Sequence, residues 1–301
     1  MNIKELEREL CSYGIEDGRG EAYLIVEHLF GVSRTKILLD RDMEFASQEL
    51  DEVLKKRKDR VPLQYIFGEW EFMGNKFLLS QDCLIPQPDT EILTEKAIEI
   101  LKKWQGVDEI NAKCKMQNAK LTTFPPHECD ARVADLCTGS GCIGLSLLLH
   151  GATDRVMLMD ISEGALSMAR KNACLHGVQD RCDFVLGDIC RDLPKRKYKM
   201  IVSNPPYIPT SDIEGLPEEV KKEPRLALDG GDDGLDLIRF LIGDGLSSLD
   251  ENGVMLIEFG FDQGEIMDTL LREKCDTGSI KSYEILRDYG NNPRVAVIYG
   301  N

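Results

Sequence analysis

Val133-Ala134-Asp135-Leu136-Cys137-Thr138-Gly139-Ser140-Gly141-Cys142 joins a short apolar strand to the apolar helix 142–149 through a glycine-rich turn. Gly139 and Gly141 let the backbone turn tightly and let a ligand approach it, and Gly144 completes a Gly-x-Gly-x-x-Gly spacing. A lone glycine-rich turn is a weak signal, but here the alternation of strand and helix continues downstream. Strand 156–159 ends at Asp160 and is followed by helix 162–176; strand 183–186 ends at Asp188; strand 198–202 ends at Asn204. Further strands are predicted over 254–259, 282–286 and 294–299. The last two are joined by 287–293, too short for a helical crossover, so they pair antiparallel. The pattern predicts an α/β fold, a doubly wound, mostly parallel seven-stranded sheet.

The ends of those strands carry the chemistry. Asp135 precedes the glycine turn, where a dinucleotide fold more often has an apolar residue. Asp160 stands where a carboxylate accepts both ribose hydroxyls, and Asp188 where an acid accepts from an adenine amino group. Read singly, Asp135 and Asp160 are helix caps and Asp188 a turn residue. Read together, they form an acidic rim at the carboxyl ends of parallel strands, suited to a cofactor with a sulfonium centre and no phosphate. A dehydrogenase lacks support, because no acid or base is placed to serve a hydride site.

Ser203-Asn204-Pro205-Pro206-Tyr207 follows the fourth strand. The two prolines stop both helix and ladder, leaving the carbonyls of Asn204 and Pro205 without strand partners. The Asn204 side-chain oxygen and a free carbonyl make a matched pair of acceptors for a planar –NH2 group. Tyr207 adds a flat face to stack on it.

Upstream, residues 1–62 read as a small helical bundle. Leu6, Leu10 and Tyr13 share one face; Tyr23, Leu24, Val26, Leu29 and Phe30 form another before Gly31; Ser33 caps a short helix; and 47–60 is a charged helix ended by Pro62. Residues 63–85 read as a β-hairpin linker, with strands 65–72 and 75–79 turning at Met73-Gly74-Asn75. The catalytic domain spans 86–301. It opens with a helix over 89–104 capped by Asp89 or Thr90, and 105–130 reads as an inserted mobile loop.

The 301 residues carry a net charge of −16, which weighs against a protein that coats nucleic acid. Lys55-Lys56-Arg57-Lys58 with Arg60 reads as a solvated helix face rather than a binding patch. The acidic, amphipathic Met1–Glu7 is unlike a signal peptide, and no apolar run has the length of a membrane span. The ten cysteines have no framework spacing, so they read as reduced thiols of a cytoplasmic protein. His127-Glu128-Cys129 is the one tight group of ligand-type residues and reads as chance composition, so no metal is expected.

These residues resemble the class I S-adenosylmethionine-dependent methyltransferases, and within them the HemK (PrmC) family of protein-(glutamine-N5) methyltransferases that modify the Gly-Gly-Gln loop of peptide chain release factors. The resemblance spans nearly the whole chain. It includes Pro62–Ile66 with Gly68, Leu84–Glu91, Asp135–Gly141, Asp160–Ser162, Ser203–Ile208, Glu223–Leu228 with Gly230-Gly231 and Asp233–Leu235, Glu258–Gly260 with Gln263, and Asp288–Gly290 before Arg294-Val295. Asn-Pro-Pro-Tyr alone is shared with adenine-N6 DNA methyltransferases and RNA methyltransferases. The Pro-x-Pro-x-Thr-Glu segment and the Glu-Pro…Gly-Gly block are more discriminating.

The resemblance implies S-adenosylmethionine as cofactor, with S-adenosylhomocysteine as product, held by Asp135, Cys137, Thr138, Gly139, Ser140, Gly141, Asp160, Ile161, Asp188, Ile189 and Asn204. It implies catalysis by Asn204, Pro205 and Tyr207, substrate contacts from these and Pro206, and a release-factor partner docked on the helical bundle, with an effect on translation termination. Gln87 stands where the family usually has Arg. Cys137 replaces the first glycine of the cofactor loop, which predicts a negative φ there. The alternatives are an adenine or guanine N-methyltransferase acting on DNA or RNA, and a non-enzymatic binding protein with a vestigial cofactor fold.

Overall fold

The computed structural model describes residues 1–116 and 132–301. Four helices come first: α1 (Ile3–Ser12), α2 (Gly18–Phe30), α3 (Arg34–Leu39) and α4 (Gln48–Lys58). Local chemistry sets their ends. Asn2 and Glu5 close a capping box on α1, Asp17 and Ser47 cap α2 and α4, and Gly31 ends α2 in the left-handed region. Ser33 sits at the cap of α3 as expected, but its hydroxyl makes no capping bond. Leu6, Leu10, Ile25 and Ile37 share the fully buried centre of this bundle.

The basic run on α4 is not simply a solvated face. Arg57 follows Leu50, Val53 and Leu54 on the inner face and is 1 % exposed. Its Nε and Nη2 donate to the two Glu21 carboxylate oxygens at 2.8 and 2.9 Å, and its Nη1 to the Val61 carbonyl at 2.7 Å. Nη2 also reaches Glu219 at 3.2 Å, and Arg60 donates to the other Glu219 oxygen at 2.6 Å. Glu219 lies in the C-terminal part of the chain, so these two arginines tie it to the helical bundle.

The linker corrects one expectation. Residues 63–67, in the segment read as strand from 65, form a short helix α5 (Leu63–Phe67). Pro62 precedes it, and Gly68 ends it in the left-handed region by donating to the Gln64 carbonyl. This bracket overrides the strand preference of Tyr65, Ile66 and Phe67. The hairpin is shorter, β1 (Glu69–Phe72) and β2 (Asn75–Leu78), turning through Met73 and Gly74 at positive φ. It is docked on the catalytic domain rather than free. Asn172 accepts from Leu78 N–H at 2.7 Å, and its amide donates to the carbonyls of Leu78 and Ser140.

Helix α6 (Pro88–Met116) begins with proline at its first turn. Asp89 pairs with Arg294 at 3.1 Å and Thr90 bonds Asn204, so both side chains are used by tertiary partners. The helix runs on through 105–116, correcting the loop expected there. The rest of that call, with His127-Glu128-Cys129, lies outside the described residues.

The chain then alternates β3 (Val133–Leu136), α7 (Cys142–Leu149), β4 (Val156–Asp160), α8 (Glu163–Leu175), β5 (Cys182–Leu186), α9 (Ile189–Asp192) and β6 (Tyr198–Ser203). Helices α10 (Arg225–Leu228) and α11 (Asp236–Leu241) lead to β7 (Leu249–Glu258), α12 (Gly264–Asp276), β8 (Ser282–Arg287) and β9 (Pro293–Tyr299). The sheet order is β5-β4-β3-β6-β7-β9-β8, with β9 antiparallel to both neighbours. This is the seven-stranded, mostly parallel sheet expected. One apolar core packs α6 and α7 on one face, and a second packs α11 and α12 on the other. Among the described residues no helix is long and apolar enough to cross a membrane.

Gly144 lets α7 lie close to the sheet, because a methyl group there would run into Leu158 and Asp135. Gly144→Ala is therefore expected to destabilise the protein by about 1–3 kcal/mol in urea unfolding. Arg57→Ala leaves Glu21 without its buried partner and is expected to lose about 3–5 kcal/mol by the same measurement. Arg57→Lys should recover little, since an ammonium lacks the bidentate fork.

Candidate active site

A cavity of about 330 Å³ opens where β3, β4, β5 and β6 end. That volume suits a nucleoside-sized ligand. Cys137, Thr138, Gly139 and Ser140 form one wall, Asp160 with Ile161 and Asp188 with Ile189 a second, and Asn204 with Pro206 a third. The structure thus brings together ten of the predicted residues. Asp135, Gly141, Pro205 and Tyr207 stand outside the lining.

Asp135 works from beneath. It is fully buried, and its Oδ2 accepts from the Thr138 hydroxyl at 2.6 Å and from Gly144 N–H at 2.9 Å. It shapes the turn that others present. Burial pushes its carboxyl up to about 7, against the pull of those two bonds.

Cys137 corrects the expected negative φ: its φ is +59°. The chain must swing from β3 toward β4 at once, and Thr138 N–H bonds the Met159 carbonyl at 3.0 Å. For a non-glycine residue this conformation costs about 1–2 kcal/mol, tolerated because Asp135 and Met159 hold Thr138 on both sides.

Asp160 receives Gly139 N–H on Oδ2 and Ser162 N–H on Oδ1, each at 2.9 Å. Ile161 N–H also reaches this carboxylate, so of its four lone-pair sites one stays open toward the cavity. Burial raises its carboxyl, while the N–H donors of Ser162 and Gly139 oppose the rise. Asp188 caps α9 by accepting from Cys190 N–H at 2.9 Å and also lines the cavity, so its turn reading and its site reading hold together. The Ser140 hydroxyl is buried against the cavity with no well-aligned partner among the described residues. Among the described residues, Asp82, Asp160, Asp188 and Asp229 are the charged side chains of the lining, and no Lys, Arg or His joins them. This donor set fits a cationic, hydroxyl-rich nucleoside and disfavours a pyrophosphate. The residues therefore fit S-adenosylmethionine.

Asn204 emerges from β6 into the third wall. Its Nδ2 donates to the Thr90 hydroxyl at 3.2 Å, which leaves Oδ1 as the open acceptor. Among the described residues no backbone N–H donates to the Pro205 carbonyl. The segment after it is held firmly. Gln263 donates to the Tyr207 carbonyl at 2.9 Å, and Ile208 exchanges backbone bonds with Leu228 and Gly230. Gly234, at φ +75°, passes so close to the Tyr207 carbonyl that no side chain fits. Tyr207 is tethered by its hydroxyl to Glu258 at 3.4 Å rather than facing the cavity. Burial beside Glu258 raises that hydroxyl well above its ordinary value.

Several wall residues carried no assigned role in the sequence. Leu84 to Gln87 and Pro224, Leu226 and Ala227 close the cavity from outside the sheet. Glu223 joins these two segments by accepting Ile85 N–H at 2.9 Å. Both blocks are quoted above for the resemblance, and nothing local to them shows that they meet. Gln87 lines the cavity with its amide turned back to the Ile85 carbonyl at 3.0 Å.

A family model for a methyltransferase small domain matches residues 118–217, and one for a PrmC N-terminal domain matches residues 3–68. The release factor glutamine methyltransferase of Aquifex aeolicus is 32% identical over 300 residues, covering 99% of this chain and 95% of that protein. Its counterpart in Moorella thermoacetica is 34% identical over 300 residues, covering 99% and 96%. Among solved structures, the human methyltransferase 10 domain containing protein superposes with a TM-score of 0.47 at 16% identity, over 74% of this chain and 88% of that one.

Burial pushes the Glu223 carboxyl up to about 7 from an ordinary 4.5. Its raised pKa means the folded state holds a proton that the unfolded chain releases. Stability from this group is therefore fully present at low pH and is lost as pH rises through about 7. Glu223→Gln should remove a slope of up to about 1.4 kcal/mol per pH unit between roughly pH 5 and pH 7. Denaturant unfolding across that range measures it.

Proposed function

The chain belongs to the release factor glutamine methyltransferase family, and from that membership we propose that it transfers a methyl group from S-adenosylmethionine to the side-chain amide nitrogen of the glutamine in a release factor's Gly-Gly-Gln loop. The observation that carries the chemistry is the orientation of Asn204. Its amide nitrogen is engaged by Thr90, so its oxygen is left for the substrate beside the unpaired Pro205 carbonyl. These two acceptors match the two N–H bonds of a primary amide.

S-adenosylmethionine supplies an electrophilic methyl group on a sulfonium centre. Asp160 would hold the ribose hydroxyls at its open lone-pair site, and Asp188 the adenine amino group. Thr138, Gly139, Ser140 and Cys137 would form the floor, Ile161 and Ile189 the apolar sides. The acidic lining stabilises positive charge at this position.

A glutamine amide nitrogen is a poor nucleophile, because its lone pair is delocalised into the carbonyl. Asn204 Oδ1 and the Pro205 carbonyl accept its two N–H bonds, draw electron density onto nitrogen and fix its direction. Pro205 and Pro206 keep the second acceptor out of any ladder. Tyr207, held by Glu258 and Gln263, stiffens this segment from behind. The proton passes to water after transfer, when the methylated nitrogen has become acidic.

A glutamine is too small to identify a protein, so recognition falls to another surface. The helical bundle provides one. Arg57 and Arg60 join it, through Glu219, to the segment that continues into the cavity wall at Pro224.

Incubation with labelled S-adenosylmethionine and a purified release factor should label the factor, and its Gly-Gly-Gln loop Gln→Ala variant should stay unlabelled. Label on DNA or tRNA run in parallel, with none on the factor, would overturn the reading in favour of a base methyltransferase. Asn204→Ala should lower kcat by about 10²–10³-fold, with cofactor affinity within about twofold of wild type. Equal loss of both would assign Asn204 to cofactor binding or folding. Asp160→Ala removes hydrogen bonds to a charged group, each of about 1.5–3 kcal/mol, and should weaken cofactor binding at least about tenfold by calorimetry.

A further inference from the structure

Glu258 ends β7 in the position beside Asn204. Ser203 pairs with Ile257 in the parallel register, so Asn204 and Glu258 follow side by side where β6 ends, with Glu258 still paired to Val295 of β9. Glu258 is 1 % exposed, an unusual place for a carboxylate. Its Oε1 accepts from the Tyr207 hydroxyl at 3.4 Å. Its Oε2 is buried and closes no well-aligned bond among the described residues. Besides Tyr207, Thr90, 2 % exposed, has its side chain within hydrogen-bonding reach of this carboxylate, and it is the same Thr90 that receives the Asn204 amide. A hydroxyl that accepts from Asn204 must place its own proton elsewhere, and a buried carboxylate oxygen is the available acceptor.

We propose that Glu258 is a positioning residue for methyl transfer, holding Asn204 through Thr90 and Tyr207 directly, so that one buried carboxylate orients both ends of the Asn204–Tyr207 segment. The chain runs Asn204 Nδ2–H to Thr90, Thr90 O–H to Glu258, and Tyr207 O–H to Glu258. Its polarity excludes the flipped Asn204 amide, which would turn an –NH2 toward the substrate's –NH2. The inference rests on the reading of the site as an amide methyltransferase and deepens it.

The arrangement makes the clamp sensitive to pH. Burial pushes the Glu258 carboxyl up to about 7; Thr90, Arg294 and Tyr207 oppose the rise and Asp89 adds to it. Arg294 is itself engaged by Asp89 and Asp288, at 3.1 and 3.3 Å. Only the ionised carboxyl accepts from both hydroxyls at once. As pH falls through this range, a proton on Glu258 removes an acceptor and frees Thr90 to turn.

The test uses the full-length chain with Thr90→Val, Thr90→Ser and Glu258→Gln. Thr90→Val and Glu258→Gln should each lower kcat for release-factor methylation about 10²-fold, with KM and cofactor affinity within about twofold of wild type. Thr90→Ser, which keeps the hydroxyl, should recover most of that loss. The acidic limb of the wild-type kcat profile should vanish in Glu258→Gln. Independently of activity, the Asn204 side-chain amide resonances, assigned with Asn204→Asp, should move with pH in the wild-type protein. Thr90→Val should abolish that movement. A wild-type kcat in Thr90→Val, an acidic limb unchanged in Glu258→Gln, or Asn204 resonances that ignore pH would each overturn the inference. A wild-type protein that leaves the release factor unlabelled would instead sink the functional reading, while the amide resonances would still judge the coupling of Glu258 to Asn204.

Discussion

Two consecutive prolines end β6, and the surroundings of the site follow from what they release. Neither offers an N–H, so the sheet cannot continue past Ser203 and the carbonyl of Pro205 is left without a backbone donor among the described residues. An unconstrained chain would fold such a free segment away or let it wander. Here it is held from several directions. Gln263 takes the Tyr207 carbonyl, Ile208 is stitched to Leu228 and Gly230, and Gly234 presses against the Tyr207 backbone. The free acceptors stay free because everything next to them is bonded to something else.

Buried charge does the remaining work in two places. Around the cavity the carboxylates outnumber any cation, and burial raises Asp135, Glu223 and Glu258 to about 7. Such groups destabilise the fold when ionised, so their presence is better explained by what they orient than by what they stabilise. Asp135 shapes the turn, Glu223 joins two outer walls, and Glu258 holds the Tyr207 hydroxyl. Between the domains the balance is reversed. Arg57 is buried with a bidentate partner and a backbone carbonyl, a geometry good enough to offset its desolvation. It makes the helical bundle and the cavity's outer wall parts of one connected body.

Legibility in the sequence follows the range of the interactions involved. The strands, the glycine turn and the proline stop depend on neighbours a few residues apart, and their periodicity was readable at 133–204. The misread elements depended on distant partners. Tyr65 to Phe67 have strand propensity but lie between a proline and a left-handed glycine; Ile66 and Phe67 pack into the bundle and Tyr65 against Cys83 and Ile85. Cys137 takes a positive φ because Met159 and Asp135 hold Thr138, not because of its own preference. Thr90 reads as a helix cap, yet it bonds Asn204, 114 residues away.

By itself the sequence determined the α/β order, the acids at the strand ends and the two acceptors after β6, since each is written in local periodicity and in residue chemistry. The types of side chain at those ends also carry the expectation of a cationic ligand without phosphate. Only the tertiary structure decided which acids face the cavity and which, like Asp135, sit beneath it. It alone brought Thr90 and Glu258 against Asn204, and Arg57 against Glu219. Those pairings join segments far apart in the chain, and their energy exists only once packing has excluded water from between them.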